Sequence, residues 1–283
     1  MSTRPALRVP ARAAPVAAWV LAAGVVLAQI VYSMTDPADR IVTTVLSVAL
    51  FCAASVLDAA ARFGARAAGL LVLVAGGGGL LAEAVGVHTG FPFGRYAYTG
   101  TLGAQLLGVP VVVPMAWVMM AWPALLVGRA LGARLPGGGR AVVPVATWAL
   151  ASWDVFLDPQ MVDAGHWTWA HPTPALPGVA DVPLTNFAGW LLVAALITGA
   201  LHVLLGGADR RRGPTPDVDL RRGPSLAVDL RRGPAPVLYL WTYGSSVWAH
   251  AAFFDRPGSS LVGGLLMGAV AVPFAVALWR AHR

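Results

Sequence analysis

Two aspartates spaced four residues apart are the side chains of this sequence best suited to proton chemistry. Asp154 and Asp158 lie in the stretch TWALASWDVFLDPQMVDAGHWTW, residues 147–169. On a helix this spacing places both carboxyl groups on one face, and Pro159 predicts that the helix ends just after the second aspartate. A carboxyl group in a low-dielectric environment can stay protonated near neutral pH and act as an acid, while a neighbouring carboxylate activates water.

The composition indicates where this chemistry would take place. Hydrophobic residues make up 57% of the 283-residue chain, charged residues only 12%, and the mean hydropathy is +0.68. A soluble globular protein is far less apolar, so we predict an all-α, polytopic membrane helix bundle that forms a single membrane domain over residues 1–283. The one cysteine, Cys52, lies in an apolar run, which excludes an intrachain disulfide and a thiolate metal site.

The spacing of the apolar runs predicts how often the chain crosses the membrane. A spanning helix needs roughly 20 apolar residues. We count eight such runs, with seven as the alternative count, at residues 16–32, 41–61, 67–87, 110–131, 142–158, 187–205, 237–254 and 261–280.

The arginines predict the orientation of these runs. All twenty basic residues are arginine, and they lie in the connections between apolar runs. Arg40, Arg95 and Arg256 are the few that fall on the outer side when the N-terminus is cytoplasmic, so we predict that both termini are cytoplasmic. The net charge of +7 therefore reflects orientation, and nucleic acid is not an expected partner.

One connection has a repeated sequence. Residues 207–236 contain RRGPTPDVDL, RRGPSLAVDL and RRGPAPVLYL, three copies of one ten-residue unit. Such Arg-Gly-Pro repeats cannot build a core, so we predict a low-complexity cytoplasmic loop whose charge suits anionic lipid headgroups.

A third acid, Glu83, lies within the third apolar run. An ionisable group inside a membrane helix is costly to bury and is a functional candidate for that reason. Four consecutive glycines precede it, at residues 76–79, and permit either a close helix approach or a local bend. By the predicted topology, Glu83 lies at the same depth as Asp154 and Asp158, in the outer part of the membrane.

The segment from His88 to Tyr98 follows directly and adds further candidates. Its glycines, prolines and short apolar pieces do not suit a spanning helix and favour a partly re-entrant or interfacial loop. Two interpretations of Arg95 stay open. It pairs with Glu83 or an aspartate, or it reaches to lipid phosphate while Tyr96 and Tyr98 join an interfacial belt.

Several aromatic and histidine residues have two interpretations as well. Trp153, Trp167 and Trp169 are typical of a membrane-interface belt, but they could also form a stacked wall for a long conjugated ligand. His250, in the outer half of the seventh run, is more typical of a hydrogen-bonded packing group, although it remains a candidate that orients substrate.

Two stretches resemble a known family. GFPFGRYAYTGTLGAQLLGVPVVVPMAW and ASWDVFLDPQMVDAGHWTW are similar to integral-membrane carotenoid biosynthesis proteins of the bisanhydrobacterioruberin hydratase and carotenoid 1,2-hydratase type. The resemblance covers the core from about residue 70 to residue 190. It does not extend to the arginine repeat, and the terminal helices match only in hydropathy.

The resemblance implies a cofactor-independent hydro-lyase in the cell membrane, which hydrates a terminal double bond of an acyclic carotenoid to a tertiary alcohol. Neither a cofactor nor a metal is expected. The implied partners are membrane lipids, a long apolar carotenoid substrate and other carotenoid biosynthesis enzymes.

Roles for the candidate residues follow from that implied reaction. Asp154 would be the proton donor, and Asp158 or Glu83 the base that activates water. Arg95 or His88 would orient the reacting groups. The other candidates for substrate binding are Tyr96, Tyr98, Trp153, Trp167, Trp169 and His250.

Three alternatives stay open. An intramembrane carotenoid cyclase would use the same cation. A Mg²⁺-dependent prenyltransferase would use Asp154, Asp158 and Asp163 to hold a diphosphate through the metal. A non-enzymatic carotenoid-binding or transport protein would use the acids as a proton relay. The absence of HExxH, Walker, GxSxG and dinucleotide motifs argues against other common enzyme classes.

Overall fold

A computed structural model of the protein describes residues 13–36, 39–211, 229–230 and 232–283. Most of the predicted Arg-Gly-Pro loop, residues 212–228 and 231, lies outside the described residues, so the prediction for that loop remains a prediction.

Helices account for most of the described chain, because each apolar run satisfies its backbone hydrogen bonds internally. Each of the eight predicted runs coincides with helical structure. The helices are α1 (Ala13–Met34), α2 (Arg40–Phe63), α3 (Ala65–Leu71), α4 (Gly78–Thr89), α5 (Val112–Gly132), α6 (Val142–Ala151), α7 (Asp154–Asp163), α8 (Leu184–Arg211), α9 (Ala235–Ala252) and α10 (Pro257–His282). The third run comprises α3, a π-helical segment (Val72–Gly77) and α4, and the fifth comprises α6 and α7.

Within the described ranges, seven helical stretches are long and apolar enough to cross a membrane. The predicted all-α, polytopic membrane bundle is therefore confirmed, whereas the orientation of its termini remains a prediction. The eighth run forms α9, which has 18 residues and is not among the seven because it is more polar. It packs against α10 and α5 within the same bundle.

The fifth run differs from the prediction at Pro159. The helix breaks before Asp154, at residues 152–153, and α7 then continues through Pro159 to Asp163. The predicted helix stop was wrong because neighbouring helices can supply polar partners to a turn that a proline disturbs. In that turn the carbonyl oxygen of Phe156 lies 3.0 Å from Nε2 of His250 on α9. The two aspartates still share one helix.

The four glycines permit the predicted close helix approach and lie at the end of an irregular helical segment. The π-helical segment ends at Gly77, so the helix is locally distorted there. At Gly79 an added Cβ would lie 2.5 Å from the indole of Trp117 on α5, too close for any other residue without movement of the indole. The absence of a side chain at Gly79 therefore allows α5 to approach α4 closely at Trp117.

Short strands build the connections at one end of the bundle. The segment predicted to be partly re-entrant or interfacial contains β1 (Tyr96–Tyr98), which pairs antiparallel with β4 (Trp167–Trp169). The register places Tyr96 opposite Trp169 and Tyr98 opposite Trp167, so these four rings share one face. Two further hairpins complete this end, with β2 (Gln105–Leu106) on β3 (Val109–Pro110) and β5 (Ala175–Leu176) on β6 (Val179–Pro183).

Candidate functional site

A cavity with about 1310 Å³ of empty space, part of it open to the surroundings, lies beneath the β1–β4 pair. Its lining residues come from α1, α2, α4, α5, α7, α8, α9, β1 and β4 and from the connections between them. Glu83 and Asp158 both reach this space. The acids that the sequence predicts at one depth therefore do come together.

Glu83 is held by neutral donors from two elements. Its side chain is 6% exposed, and its Oε2 accepts hydrogen bonds from the hydroxyls of Tyr96 (2.5 Å) and Tyr98 (2.9 Å). Its Oε1 accepts from Nε1 of Trp117 at 3.1 Å. Burial, followed by the adjacent Glu83 charge, raises the pKa of both tyrosines above the usual value, so both phenols keep their protons and donate.

Asp154 and Asp158 form a second acidic group, bridged by Asn186. Their residues are 0% and 3% exposed, and Nδ2 of Asn186 donates to Oδ2 of Asp154 (2.7 Å) and to Oδ2 of Asp158. The two carboxyl groups are also close enough to hydrogen-bond to each other once one of them is protonated. Asp158 lines the cavity, whereas Asp154 lies behind it and its Oδ1 has no hydrogen-bond partner in the described structure.

These three acids have no basic partner among the described residues, since none of the salt bridges there involves them. Asp163, at the end of α7, instead pairs with Arg256 at the surface. In the same part of the chain, no group of three or more His, Cys, Asp or Glu side chains is placed to hold a metal ion. The site is thus acidic and surrounded by neutral donors.

Indole rings form much of the remaining wall. Trp153, Trp167 and Trp169 are between 5% and 9% exposed and line the cavity, so they face its interior instead of a surrounding belt of lipid. Trp117 and Trp190 stack at a centroid distance of 4.1 Å with an interplanar angle of 19°. Such faces attract positive charge, because the ring quadrupole is negative above the ring plane.

Three predicted orienting residues lie away from the cavity. Arg95 is exposed and does not pair with Glu83 or with either aspartate. It directly precedes β1, whose first residue, Tyr96, is buried. His88 is exposed as well, with Nδ1 2.7 Å from the carbonyl oxygen of Ala84. His250 is buried, and its ring nitrogens lie 2.9 Å and 3.0 Å from the carbonyl oxygens of Ser246 and Phe156, so it packs α9 against α7.

Sequence reasoning missed three residues of this site. These are Asn186, Trp117 and Trp190, none of which the sequence analysis singled out. Asn186 and Trp190 are spaced i, i+4 in an otherwise apolar helix, which is a signal that both occupy one functional face. Trp117 gives no comparable signal, because its partners come from α4 and α8 and are distant in sequence.

The chain is similar to known proteins over its central region. A family model described as "Carotenoid biosynthesis protein" matches residues 40–221, well over half of the chain. Over 126 residues the chain is 38% identical to bisanhydrobacterioruberin hydratase of Haloarcula japonica, an alignment that covers 44% of this chain and 39% of that protein. The match thus spans about two fifths of the relative's length. No solved structure matches.

Proposed function

The chain belongs to the carotenoid biosynthesis protein family, and we propose that it adds water to a terminal double bond of an acyclic carotenoid, giving a tertiary alcohol. The observation that carries this proposal is that buried carboxyl groups without a basic partner among the described residues lie at an indole-lined cavity in an apolar bundle. The similarity to a hydratase supports the same reaction.

The geometry favours Asp158 as the proton donor in place of Asp154. Asp158 reaches the cavity, while Asp154 is fully buried behind it. In this mechanism the Asp158 carboxyl gives its proton to the less substituted alkene carbon, and the positive charge develops on the more substituted one. Asp154 shares that proton by a hydrogen bond before the transfer, and Asn186 donates to both carboxyl groups. After water is added, the proton that it gives up to Glu83 has to return to the aspartate pair before the next turnover.

The tertiary cation then needs stabilisation until water captures it. The faces of Trp117, Trp190 and Trp153 supply negative electrostatic potential without a nucleophile that would form a covalent adduct. Glu83 adds a carboxylate whose three hydrogen bonds leave about one of its four acceptor positions unused, on Oε1. A water at that position would be oriented by Glu83 and would lose its proton to it as the carbon–oxygen bond forms.

The proposal places the protein in the cell membrane, as a multi-pass protein. A long apolar carotenoid is dissolved in the bilayer, so a bundle with a cavity among its helices can receive the reacting end directly. Lipids and enzymes that make or use such carotenoids are its proposed partners.

Expression in cells that accumulate lycopene tests the proposal. The wild-type chain should convert lycopene into products heavier by one or two waters, detected by liquid chromatography and mass spectrometry. Asp158→Asn should lower this conversion by at least about 100-fold, the size expected for loss of a general acid. Unchanged lycopene with well-expressed wild-type protein would refute hydration of this substrate, and a cyclised isomer of unchanged mass would point to a cyclase.

A further inference from the structure

Part of the cavity wall is rich in hydroxyl groups and is formed by α2 and α9. On α2 the lining residues are Thr44, Ser47, Val48 and Phe51, spaced i, i+3, i+4 and i+7. On α9 they are Thr242, Ser245, Ser246 and Ala249, with the same spacing. In each case this spacing describes one face of a helix, and the polar residues lie toward the start of that face.

Two hydroxyls on this wall lack protein partners. Ser47 and Ser246 line the cavity, and neither Oγ makes a hydrogen bond to any described residue. By contrast, Thr44 and Thr242 donate to carbonyl oxygens of their own helices, those of Arg40 (2.8 Å) and Leu238 (2.8 Å). Ser47 is buried and Ser246 is half-buried, and both line the cavity, so a water in that space can supply the hydrogen-bond partner that each hydroxyl lacks.

The polarity of α9 has the same explanation. Among the long helices of the described chain it is the one too polar to be counted as a membrane span, and three of its polar residues face the cavity. Polar side chains weaken the insertion of a membrane helix, so a face of them around a space is typical of a water-lined cavity.

We propose that Ser47 of α2 and Ser246 of α9 form a water-binding site that supplies the water molecule added in the hydration reaction. This inference rests on the proposed function and assigns its second substrate, water, to the wall formed by α2 and α9. The serine hydroxyls donate to and accept from a water that moves to the free acceptor position of Glu83. They are positioning residues, because the proton transfers are made by the carboxyl groups.

The site controls the fate of the cation. Protonation of the alkene uses one proton from Asp158 and leaves a tertiary cation. Capture by water forms the carbon–oxygen bond, and the excess proton goes to Glu83. Without a water in place, an adjacent carbon loses a proton to a carboxylate instead, which regenerates an alkene and no alcohol. When the reaction is run in D₂O, the alkene formed by this proton loss carries one deuterium, although no water has been added.

The experiment measures this partition. Membranes containing the wild-type chain, Ser47→Ala/Ser246→Ala or Ser55→Ala are incubated with lycopene in D₂O, and the ratio of alcohol to deuterated hydrocarbon is determined by mass spectrometry. We expect the double variant to lower this ratio by roughly tenfold, as for the loss of two hydrogen bonds to one water. Ser55 is the matched control, because it lies on α2 but donates to the carbonyl oxygen of Met119 and does not line the cavity.

A second variant guards against simple misfolding. Ser246→Thr keeps the hydroxyl. This single variant, in which Ser47 is unchanged, should therefore retain the wild-type ratio of alcohol to deuterated hydrocarbon. An unchanged ratio in the double alanine variant would overturn the water site while leaving the hydratase intact. If the wild-type chain yields neither alcohol nor deuterated hydrocarbon, the hydratase proposal itself fails, and the water site fails with it.

Discussion

The bundle buries acidic side chains near both ends of α2, and it satisfies them in different ways. Toward the C-terminal end of the helix, Asp58 is 1% exposed and forms a salt bridge with Arg62 at 2.7 Å, while Nε1 of Trp122 donates to it at the same distance. Arg129, 1% exposed, lies over the ring of Phe63 next to this group. At the cavity end, every hydrogen bond that Glu83, Asp154 and Asp158 receive from the described residues comes from a neutral group.

The difference separates a structural acid from the acids that we propose to be reactive. A buried ion pair keeps its carboxylate charged and unavailable, and removal of one partner leaves the other charge uncompensated. Carboxyl groups that lack a counter-charge can instead exchange a proton with a ligand at modest cost. Asp58 thus joins helices, whereas the three cavity acids have no salt bridge among the described residues and can exchange protons in the reaction we propose. Sequence analysis did not single out Asp58, although it satisfies the same criterion as Glu83.

The largest expected effect is that substitutions in the two regions change opposite properties, stability at Asp58 and activity at Asp158. Asp58→Asn should lower the free energy of unfolding by about 3–5 kcal/mol, because Arg62 stays buried without its carboxylate. Its activity per folded molecule should stay near that of the wild type. Asp158→Asn should do the opposite and lose activity with little loss of stability. Thermal unfolding in detergent and the lycopene assay measure both properties.

If Asp158→Asn were as unstable as Asp58→Asn, Asp158 would be a structural residue like Asp58. The double variant Asp58→Asn/Arg62→Leu provides a further test of the ion pair. Replacement of both partners of a buried ion pair by neutral groups commonly restores stability, so this variant should be more stable than Asp58→Asn alone.

An intermediate effect is expected at the tyrosines that hold Glu83. Tyr96→Phe removes one donor to Oε2 and should lower hydration activity about tenfold, in line with the loss of one hydrogen bond to a charged group. Tyr239→Phe is the matched control. Tyr239 is equally buried, but its hydroxyl donates to the carbonyl oxygen of Ala149 and does not line the cavity. Equal activities of the two variants would remove Glu83 from the mechanism.

The smallest effect is expected at Arg95. Since its side chain is exposed and unpaired with the cavity acids, Arg95→Ala should change activity by less than about twofold. The lycopene assay of this variant is read against Asp158→Asn. A loss comparable to that of Asp158→Asn would restore the sequence-based hypothesis that Arg95 orients the reacting groups.

The sequence was most informative about features that depend on local spacing. Runs of apolar residues predicted the long helices, and the i, i+4 spacing of Asp154 and Asp158 placed both on one helix. Pro159 misled because the effect of a proline on a membrane helix depends on neighbouring helices, such as the one that bears His250.

Contacts between distant residues were harder to predict. Strands β1 and β4 have three residues each, too few for alternation to be visible in sequence, and yet they decide that Tyr96 and Tyr98 turn inward and Ala97 outward. Asn186 and Trp117 bind acids on other helices, 28 to 34 residues away. The choice between Asp154 and Asp158 as the residue facing the cavity likewise depends on the break at residues 152–153.

The hydrogen bonds of the cavity acids also suggest an order of assembly during synthesis. Glu83 receives its donors from residues 13, 15 and 34 positions later, and the aspartates receive theirs from a residue 28 and 32 positions later. A chain that enters the bilayer from its N-terminus can therefore pair Glu83 with neutral partners before Asp154 emerges. Each buried acid needs only the next long helix and its connection to obtain its hydrogen-bond donors. The growing chain therefore never has to expose all three acids to lipid at once.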